Sequence, residues 1–72
     1  FNILDVDPSK TWVIEDSYAG SVSGLKAECN LMFFSKDIEI LNRLINEFNQ
    51  EKIQKINELS EIIYYLKLYK GF

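Results

Sequence analysis

Two short apolar runs, separated by a connection of helical length, most constrain what this chain can fold into. The first run is Trp12-Val13-Ile14, and the second is Leu31-Met32-Phe33-Phe34. Uninterrupted runs of β-branched and aromatic residues are typical of strands buried on both faces, as in a parallel sheet. Parallel strands require a crossover connection, usually a helix, and residues 16–30 are long enough to supply it. The pattern therefore predicts a βαβ unit over residues 11–34, with a right-handed crossover.

The connection between the two runs has the features of a helix. Ser17 is a good N-cap, and Gly20 allows close backbone approach near the helix start. Val22, Leu25 and Cys29 then recur at helical spacing. Cys29 has no cationic partner in the sequence pattern, so we expect it to be a small buried hydrophobe rather than a reactive thiol.

Residues 35–72 are expected to form a mostly helical tail. One apolar stripe predicts a helix over residues 37–49, and a second predicts a helix over 57–69, with Asn57 as its N-cap and Gly71 as its stop. A single long coiled-coil helix is disfavoured because Lys52 and Lys55 would occupy core positions. Residues 52–56 fit either a helix, by their apolar spacing, or a short edge strand. The sequence leaves these two alternatives open.

The first ten residues are expected to end one element and begin a turn. The apolar residues among positions 1–6 suggest the end of a helix, and Asp7-Pro8-Ser9-Lys10 suits a type I turn. A chain that begins inside an element is expected to be a piece of a larger protein.

Composition excludes several classes of function. The net charge of −3 argues against electrostatic binding of nucleic acid. One cysteine and no histidine exclude a disulfide framework, a His/Cys zinc site and a histidine-based catalytic dyad within this sequence. No run approaches the length of a membrane span, and no segment has the pattern of a secretion signal, so a cytoplasmic protein that does not enter the membrane is expected.

Two carboxylates follow the first apolar run directly, and they are the main candidates for chemistry. Glu15 and Asp16 fall at the predicted carboxyl end of a strand, where open α/β sheets bind ligands. Magnesium is usually held by one or two carboxylates with water and substrate phosphate, and a helix N-terminus beside them favours a phosphate. The residues alone fit this site and fit equally a strand end followed by a helix cap.

Residues 7–34 resemble the last signature motif of the haloacid-dehalogenase-like hydrolases, of the β-phosphoglucomutase and phosphoglycolate-phosphatase type. In this motif a Pro precedes an apolar strand that ends in Glu-Asp-Ser, and a Gly then opens a helix rich in small residues. The matching residues here are Pro8, strand 12–14, Glu15-Asp16-Ser17, Gly20, Ser21, Ser23, Gly24 and Ala27. The resemblance implies an α/β fold, namely the C-terminal portion of a Rossmann-like parallel-sheet domain covering residues 1–72.

The same resemblance implies roles for individual residues. Glu15 and Asp16 match the acidic pair that holds Mg²⁺, and Ser17 and Gly20 match the positions that support their loop. The implied substrate is a small phosphorylated metabolite. The family's usual Gly at the end of the helix is missing, and Asn30 is expected to adopt the left-handed conformation in its place.

The catalytic residues of such enzymes are missing from these 72 residues. The nucleophile motif, Asp-x-Asp followed by Gly-Thr, has no match, because Asp5-Val6-Asp7 precedes Pro8 instead. Lys36 lies on the wrong side of the acidic motif to match the family's lysine. The resemblance therefore implies a fragment of a magnesium-dependent phosphatase or phosphomutase that contributes metal-binding carboxylates and is inactive alone.

The alternative is a non-catalytic α/β interaction module, or a gene remnant, whose tail helices pack against a partner. Tyr18 follows the acidic pair, and its role as a substrate contact stays open. The tyrosine and lysine cluster of the tail fits a half-buried helix better than an anion-binding surface. Its members are Tyr64, Tyr65, Lys67, Tyr69 and Lys70.

Overall fold

A computed structural model describes residues 2, 3 and 7–70 of the chain, and the side chains of 7–65 and 67 among them. Over this part the chain is a small α/β domain with three parallel strands, one short antiparallel strand and three helices. The elements are β1 (Asn2–Ile3), β2 (Trp12–Glu15), α1 (Tyr18–Lys26), β3 (Asn30–Phe34), α2 (Ile38–Glu47), β4 (Ile53–Ile56) and α3 (Leu59–Lys70). Across the described residues no helix has both the length and the apolar character that a membrane crossing requires.

The strands form one sheet in the order β1-β2-β3-β4. Strand β3 is parallel to β2, with Val13 opposite Leu31, and parallel to β4, with Phe33 opposite Lys55. The strand, helix and parallel strand predicted over residues 11–34 are confirmed. A second βαβ unit, β3–α2–β4, follows them and shares β3.

Helices cover both faces of the sheet, so the chain forms three layers. Helices α1 and α2 pack on one face, whose buried residues are Val13, Leu25, Cys29, Leu31, Phe33 and Leu44. Helix α3 packs Ile62 and Tyr65 on the other face, against Trp12, Met32 and Ile56. Alternate residues of β2 and β3 therefore enter different cores, which explains why their sequences are continuously apolar. Cys29 is buried, as expected.

Residues 53–56 form a strand, which decides between the two alternatives that the sequence leaves open. Helix α2 ends at Glu47, and a 3-10 turn at Gln50–Lys52 follows, with the Asn49 side chain accepting a hydrogen bond from the Glu51 N–H. Ile53 and Ile56 then pair with β3. The two tail helices are separate, as predicted.

The prediction of a helix end before Asp7 is wrong where it can be tested. Asn2 and Ile3 form β1 and pair antiparallel with Val13 and Trp12. A strand of two residues is defined by its partner rather than by its own pattern, so the local sequence does not reveal it. Residues 1 and 4–6 lie outside the described part.

The turn after Asp7 is a 3-10 turn at Pro8–Lys10. Asp7 Oδ1 accepts hydrogen bonds from the N–H of Ser9, at 2.9 Å, and from its hydroxyl, at 2.8 Å. Both hydrogen bonds hold the pKa of Asp7 below its usual value, and the bond from the Ser9 hydroxyl has the larger effect.

The left-handed residue after α1 is Glu28, with φ of 65°, and not Asn30 as predicted. The Cys29 N–H donates a hydrogen bond to the Gly24 carbonyl at 3.1 Å. This bond closes the turn at the end of α1, so the left-handed residue is Glu28, directly before Cys29. Asn30 already belongs to β3, and its side chain donates to the Ser9 carbonyl at 2.6 Å. Lys52 Nζ donates to the Glu28 carbonyl at 3.0 Å and so stabilises the turn from the β4 side.

Asn57 is not the N-cap of α3, contrary to prediction. The helix begins at Leu59, and Asn57 Oδ1 accepts instead from Lys55 Nζ at 2.9 Å. The Glu61 carboxylate accepts from the backbone N–H groups of Glu58 and Asn57, as in a capping box. Both hydrogen bonds hold the pKa of Glu61 below its usual value, and the bond from the Glu58 N–H has the larger effect. Gly71 lies outside the described residues.

Candidate functional site

The acidic pair lies at the carboxyl end of β2, where the sequence places it. Glu15 is the last residue of the strand and is half-buried, whereas Asp16 follows it and is exposed. Because β2 and β3 are parallel, this edge also carries the end of β3. Helix α1 begins at Tyr18, so its positive N-terminal end lies close to both carboxylates along the chain.

Ser17 joins the acidic pair to the helix as the N-cap of α1. Its backbone is extended, and its Oγ accepts a hydrogen bond from the Gly20 N–H at 3.1 Å. The Ser17 carbonyl accepts from the Ser21 N–H at 3.1 Å. A cap of this kind contributes about 1 kcal/mol to helix stability and fixes the direction in which the chain leaves the strand.

Gly20 leaves room for the Glu15 side chain across the first turn of α1. A Cβ atom at position 20 would lie 2.5 Å from Glu15 Cδ and 2.9 Å from Glu15 Oε1, which is closer than real Cβ atoms approach other atoms. Only glycine at this position lets the Glu15 carboxylate rest against the helix. Gly20 thereby permits the position that the Glu15 carboxylate occupies.

Gly24 makes a second close approach between α1 and β2. A Cβ atom there would lie 2.9 Å from Val13 Cγ2 and 3.0 Å from Val13 Cβ. The small residues of α1 leave a cavity of about 260 Å³ beside the strand. Its lining consists of Thr11, Val13, Glu15, Gly20, Ser23, Gly24, Ala27 and Cys29.

A larger and more open cavity lies at the other side of the acidic pair. It has a volume of about 500 Å³ and is lined by Ile14, Glu15, Asp16 and Phe34. Of these two cavities, Glu15 borders both and Asp16 borders the larger one. Its lining combines apolar side chains with two carboxylates, which is a common composition for small-molecule sites.

The donor chemistry of the pair fits a magnesium ion, since Mg²⁺ prefers hard oxygen ligands and keeps several waters. Asp16, being exposed beyond the strand end, is the residue that would hold the ion directly. Glu15, whose carboxylate rests against Gly20, would act through water or by fixing the loop. Among the side chains that the structure describes, those of 7–65 and 67, no group of three His, Cys, Asp or Glu residues is arranged to hold a metal ion.

Tyr18 is held by two residues of α2 that sequence reasoning missed. The Arg43 guanidinium carbon lies 3.9 Å from the centroid of the Tyr18 ring, and the Tyr18 hydroxyl donates a hydrogen bond to Glu47 Oε1. The bond to Glu47 raises the pKa of Tyr18, and the nearby positive charge of Arg43 opposes that rise. Arg43 and Glu47 are four residues apart on the polar side of α2, and nothing local to their sequence points to Tyr18.

The remaining candidates have structural settings. Lys55 Nζ donates to the Ser35 carbonyl at 2.7 Å and so joins β4 to the loop after β3, while Lys36 is exposed. In the tyrosine cluster, Tyr65 is half-buried and its hydroxyl accepts from Gln54 Nε2 at 3.0 Å. Tyr64 is exposed and meets the Tyr65 ring edge-on, with centroids 5.2 Å apart.

Comparison with known proteins adds no relative: no family model, no curated protein and no solved structure matches this chain. The geometry of the acidic pair and the resemblance of its motif therefore carry the functional argument.

Proposed function

We propose that this chain supplies the metal-binding carboxylates of a magnesium-dependent phosphatase or phosphomutase of the haloacid-dehalogenase-like type, acting on a small phosphorylated metabolite in the cytoplasm. Residues outside this sequence supply the aspartyl nucleophile and the lysine. The Rossmann-like topology of the whole domain is part of the same proposal.

The single observation that carries the proposal is the approach of Glu15 to Gly20. A strand end and a helix cap need two polar residues, but they do not need a helix whose first turn has room for a carboxylate. The resemblance implies a close-packing position at Gly20, and the close approach of the Glu15 carboxylate there supports the proposal. It favours a binding loop over an ordinary strand end.

Each residue has a distinct part in the proposed mechanism. Asp16 would hold the ion and Glu15 would orient the loop and a bound water, while Ser17 fixes the start of α1 and Gly20 makes room for Glu15. A bound Mg²⁺ would neutralise the charge that develops on a transferring phosphoryl group. The N-terminal end of α1 adds a favourable dipole for the same anion.

Two carboxylates hold Mg²⁺ weakly, so the expected dissociation constant of the 72-residue chain is in the millimolar range, about 4 kcal/mol at a 1 M standard state. The chain is expected to be inert towards p-nitrophenyl phosphate, because no aspartyl nucleophile of the required motif is present to form a phosphoaspartate. Magnesium-dependent turnover that disappears in Asp16→Ala would contradict this division of roles.

The test is a Mg²⁺ titration of the ¹⁵N-labelled chain, followed by the amide shifts of residues 15–20. Asp16→Asn should abolish the saturable shifts, and Glu15→Gln should weaken binding by a smaller factor. Glu39→Gln removes one charge from the first turn of α2 and is the matched control, with no expected effect. Equal effects of the three substitutions would mean that only net charge attracts the ion.

The second candidate function is a protein-interaction module, and one observation favours it. Leu59, Ile63 and Tyr64 of α3 are about 60% exposed or more. Exposed apolar side chains on one helix suit a docking surface. Concentration-dependent self-association or partner binding that Ile63→Glu abolishes, combined with no Mg²⁺ response at Asp16, would favour this function over the first.

A further inference from the structure

Tyr18 connects the loop of the acidic pair to α2. It is the first residue of α1 and directly follows Asp16 and Ser17. Its ring is half-buried and packs against the core formed with α1 and α2. Arg43 covers the ring at 3.9 Å, and Glu47 accepts the hydrogen bond of the hydroxyl. Ring packing, a cation–π contact and a hydrogen bond therefore attach the start of α1 to α2.

We infer that Arg43 and Glu47, acting through Tyr18, are positioning residues for the Asp16 carboxylate when it binds a divalent cation. This inference rests on the proposed function, in which Asp16 is the direct ligand. It assigns to α2 a role in the metal site that no motif in the sequence suggests.

The physical reason is the exposure of Asp16. An exposed carboxylate is ordered mainly through its backbone, and this backbone is anchored on one side by the pairing of Glu15 with Phe33 in the sheet. On the other side the anchor is the first turn of α1, from which Tyr18 reaches Arg43 and Glu47 of α2. A loop fixed at both ends loses less conformational entropy when it binds an ion, so its affinity is higher.

The contacts of Tyr18 also bear on whether this residue is a substrate contact. A substrate that stacked on the Arg43 side of the ring, or that accepted the hydroxyl proton, would have to displace the contacts with α2. One face of the ring is covered by Arg43, and the hydroxyl already donates to Glu47. A hydrogen bond to an ionised carboxylate is stronger than one between neutral groups, and a guanidinium over an aromatic face adds to it. The arrangement favours positioning over substrate contact.

The experiment uses the 72-residue chain and Mg²⁺ alone as the probe. Tyr18→Phe removes only the hydroxyl, Glu47→Ala removes its acceptor, and Glu47→Gln keeps an acceptor oxygen. Tyr64→Phe is the matched control, because Tyr64 is a tyrosine on α3, away from this cluster. For each variant the dissociation constant, the ¹⁵N order parameter of Asp16 and the melting temperature are measured.

Loss of one hydrogen bond that orders the loop should raise the Mg²⁺ dissociation constant about threefold. This is expected for Tyr18→Phe and Glu47→Ala, together with a lower order parameter at Asp16. Glu47→Gln should restore both values, and Tyr64→Phe should change neither. A purely structural role would lower the melting temperature without changing the affinity.

Unchanged affinity and order in Tyr18→Phe, with Mg²⁺ binding still abolished by Asp16→Asn, would overturn the positioning role and leave the proposed function standing. A Mg²⁺ response that persists in Asp16→Asn would overturn the proposed function. In that case the inference that the cluster positions a metal ligand fails with it.

Discussion

The two βαβ units of this chain share β3 and place their helices on the same face of the sheet, yet they pack differently. In the first unit, α1 approaches β2 through Gly20 and Gly24, and the strand ends in two carboxylates. In the second, α2 covers the core with large side chains, among them Ile40, Leu41 and Leu44. Close approach defines the candidate site in the first unit, and apolar burial by large side chains defines the second.

The helix starts show which residues make this difference. Both helices have an N-cap, since Ser17 accepts from the N–H of Gly20 at 3.1 Å and Asp37 accepts from that of Ile40 at 3.2 Å. The caps are therefore equivalent. The residue three positions after the cap is a glycine in the first unit and an isoleucine in the second, and only the glycine leaves room for a carboxylate from the strand.

The largest effect is expected where the two units meet. Phe33 lies on the shared strand and is fully buried, so Phe33→Ala should cost about 3–5 kcal/mol, enough to unfold a domain of this size. Ile63→Ala, at an exposed position of α3, should change the free energy of unfolding by at most about 0.5 kcal/mol. Thermal and urea unfolding followed by circular dichroism measure both. A folded Phe33→Ala chain that keeps one unit intact would show that the units are independent.

A smaller effect should separate the two close approaches of α1. In Gly24→Ala the new methyl group meets Val13, and overpacking of about 1–3 kcal/mol exceeds the gain of about 1 kcal/mol in helix propensity. In Gly20→Ala the methyl group meets the end of the Glu15 side chain, which can move, so stability is kept or rises by up to about 1 kcal/mol.

Gly24→Ala should lower stability more than Gly20→Ala, whereas Gly20→Ala should lower Mg²⁺ affinity more than Gly24→Ala. Gly20→Ala displaces the Glu15 carboxylate and should weaken binding, while Gly24→Ala should leave it unchanged in the folded fraction. Urea unfolding and the Mg²⁺ titration give the two rankings. Identical rankings in both measurements would mean that Gly20 is only a packing residue.

The sequence predicts the first unit better than the rest, for physical reasons. Its two strands are buried on both faces, so their continuous apolar runs reveal them without any knowledge of partners. Strand β1 exists only through its pairing with Trp12 and Val13, and β4 has the same apolar spacing as a helix turn. Glu28 takes the left-handed conformation in a turn that the hydrogen bond from the Cys29 N–H to the Gly24 carbonyl closes. The residue types of this turn do not predict that conformation.

The residues of the candidate site also fall into those that the local sequence predicts and those that only the folded chain reveals. Glu15, Asp16, Ser17 and Gly20 are contiguous in sequence and form a local motif, so their relative positions could be predicted. The contacts of Arg43 and Glu47 with Tyr18 join two helices and depend on how these pack. They could be found only in the folded chain.

The smallest effect is expected outside both units, at the start of α3. Because the pKa of Glu61 is lowered in the folded chain, its contribution to stability is complete above the usual value of 4.5 and is lost as the pH falls through the lower folded value. Helix order at residues 58–61 should fall over that range. In Glu61→Gln the fall should disappear, while Glu58→Gln should keep it, as measured by Cα chemical shifts. Loss of order at α1 over the same range would contradict this localisation.

The most direct test of the account is the position of a bound ion. Mn²⁺ takes the same hard oxygen ligands as Mg²⁺ and broadens nearby amide signals. We expect broadening centred on Asp16 and Ser17, at the end of β2, and its loss in Asp16→Asn. Broadening centred instead on the equivalent loop of the second unit, residues 35–37, or spread evenly over the acidic residues, would contradict the assignment of a metal site to the acidic pair.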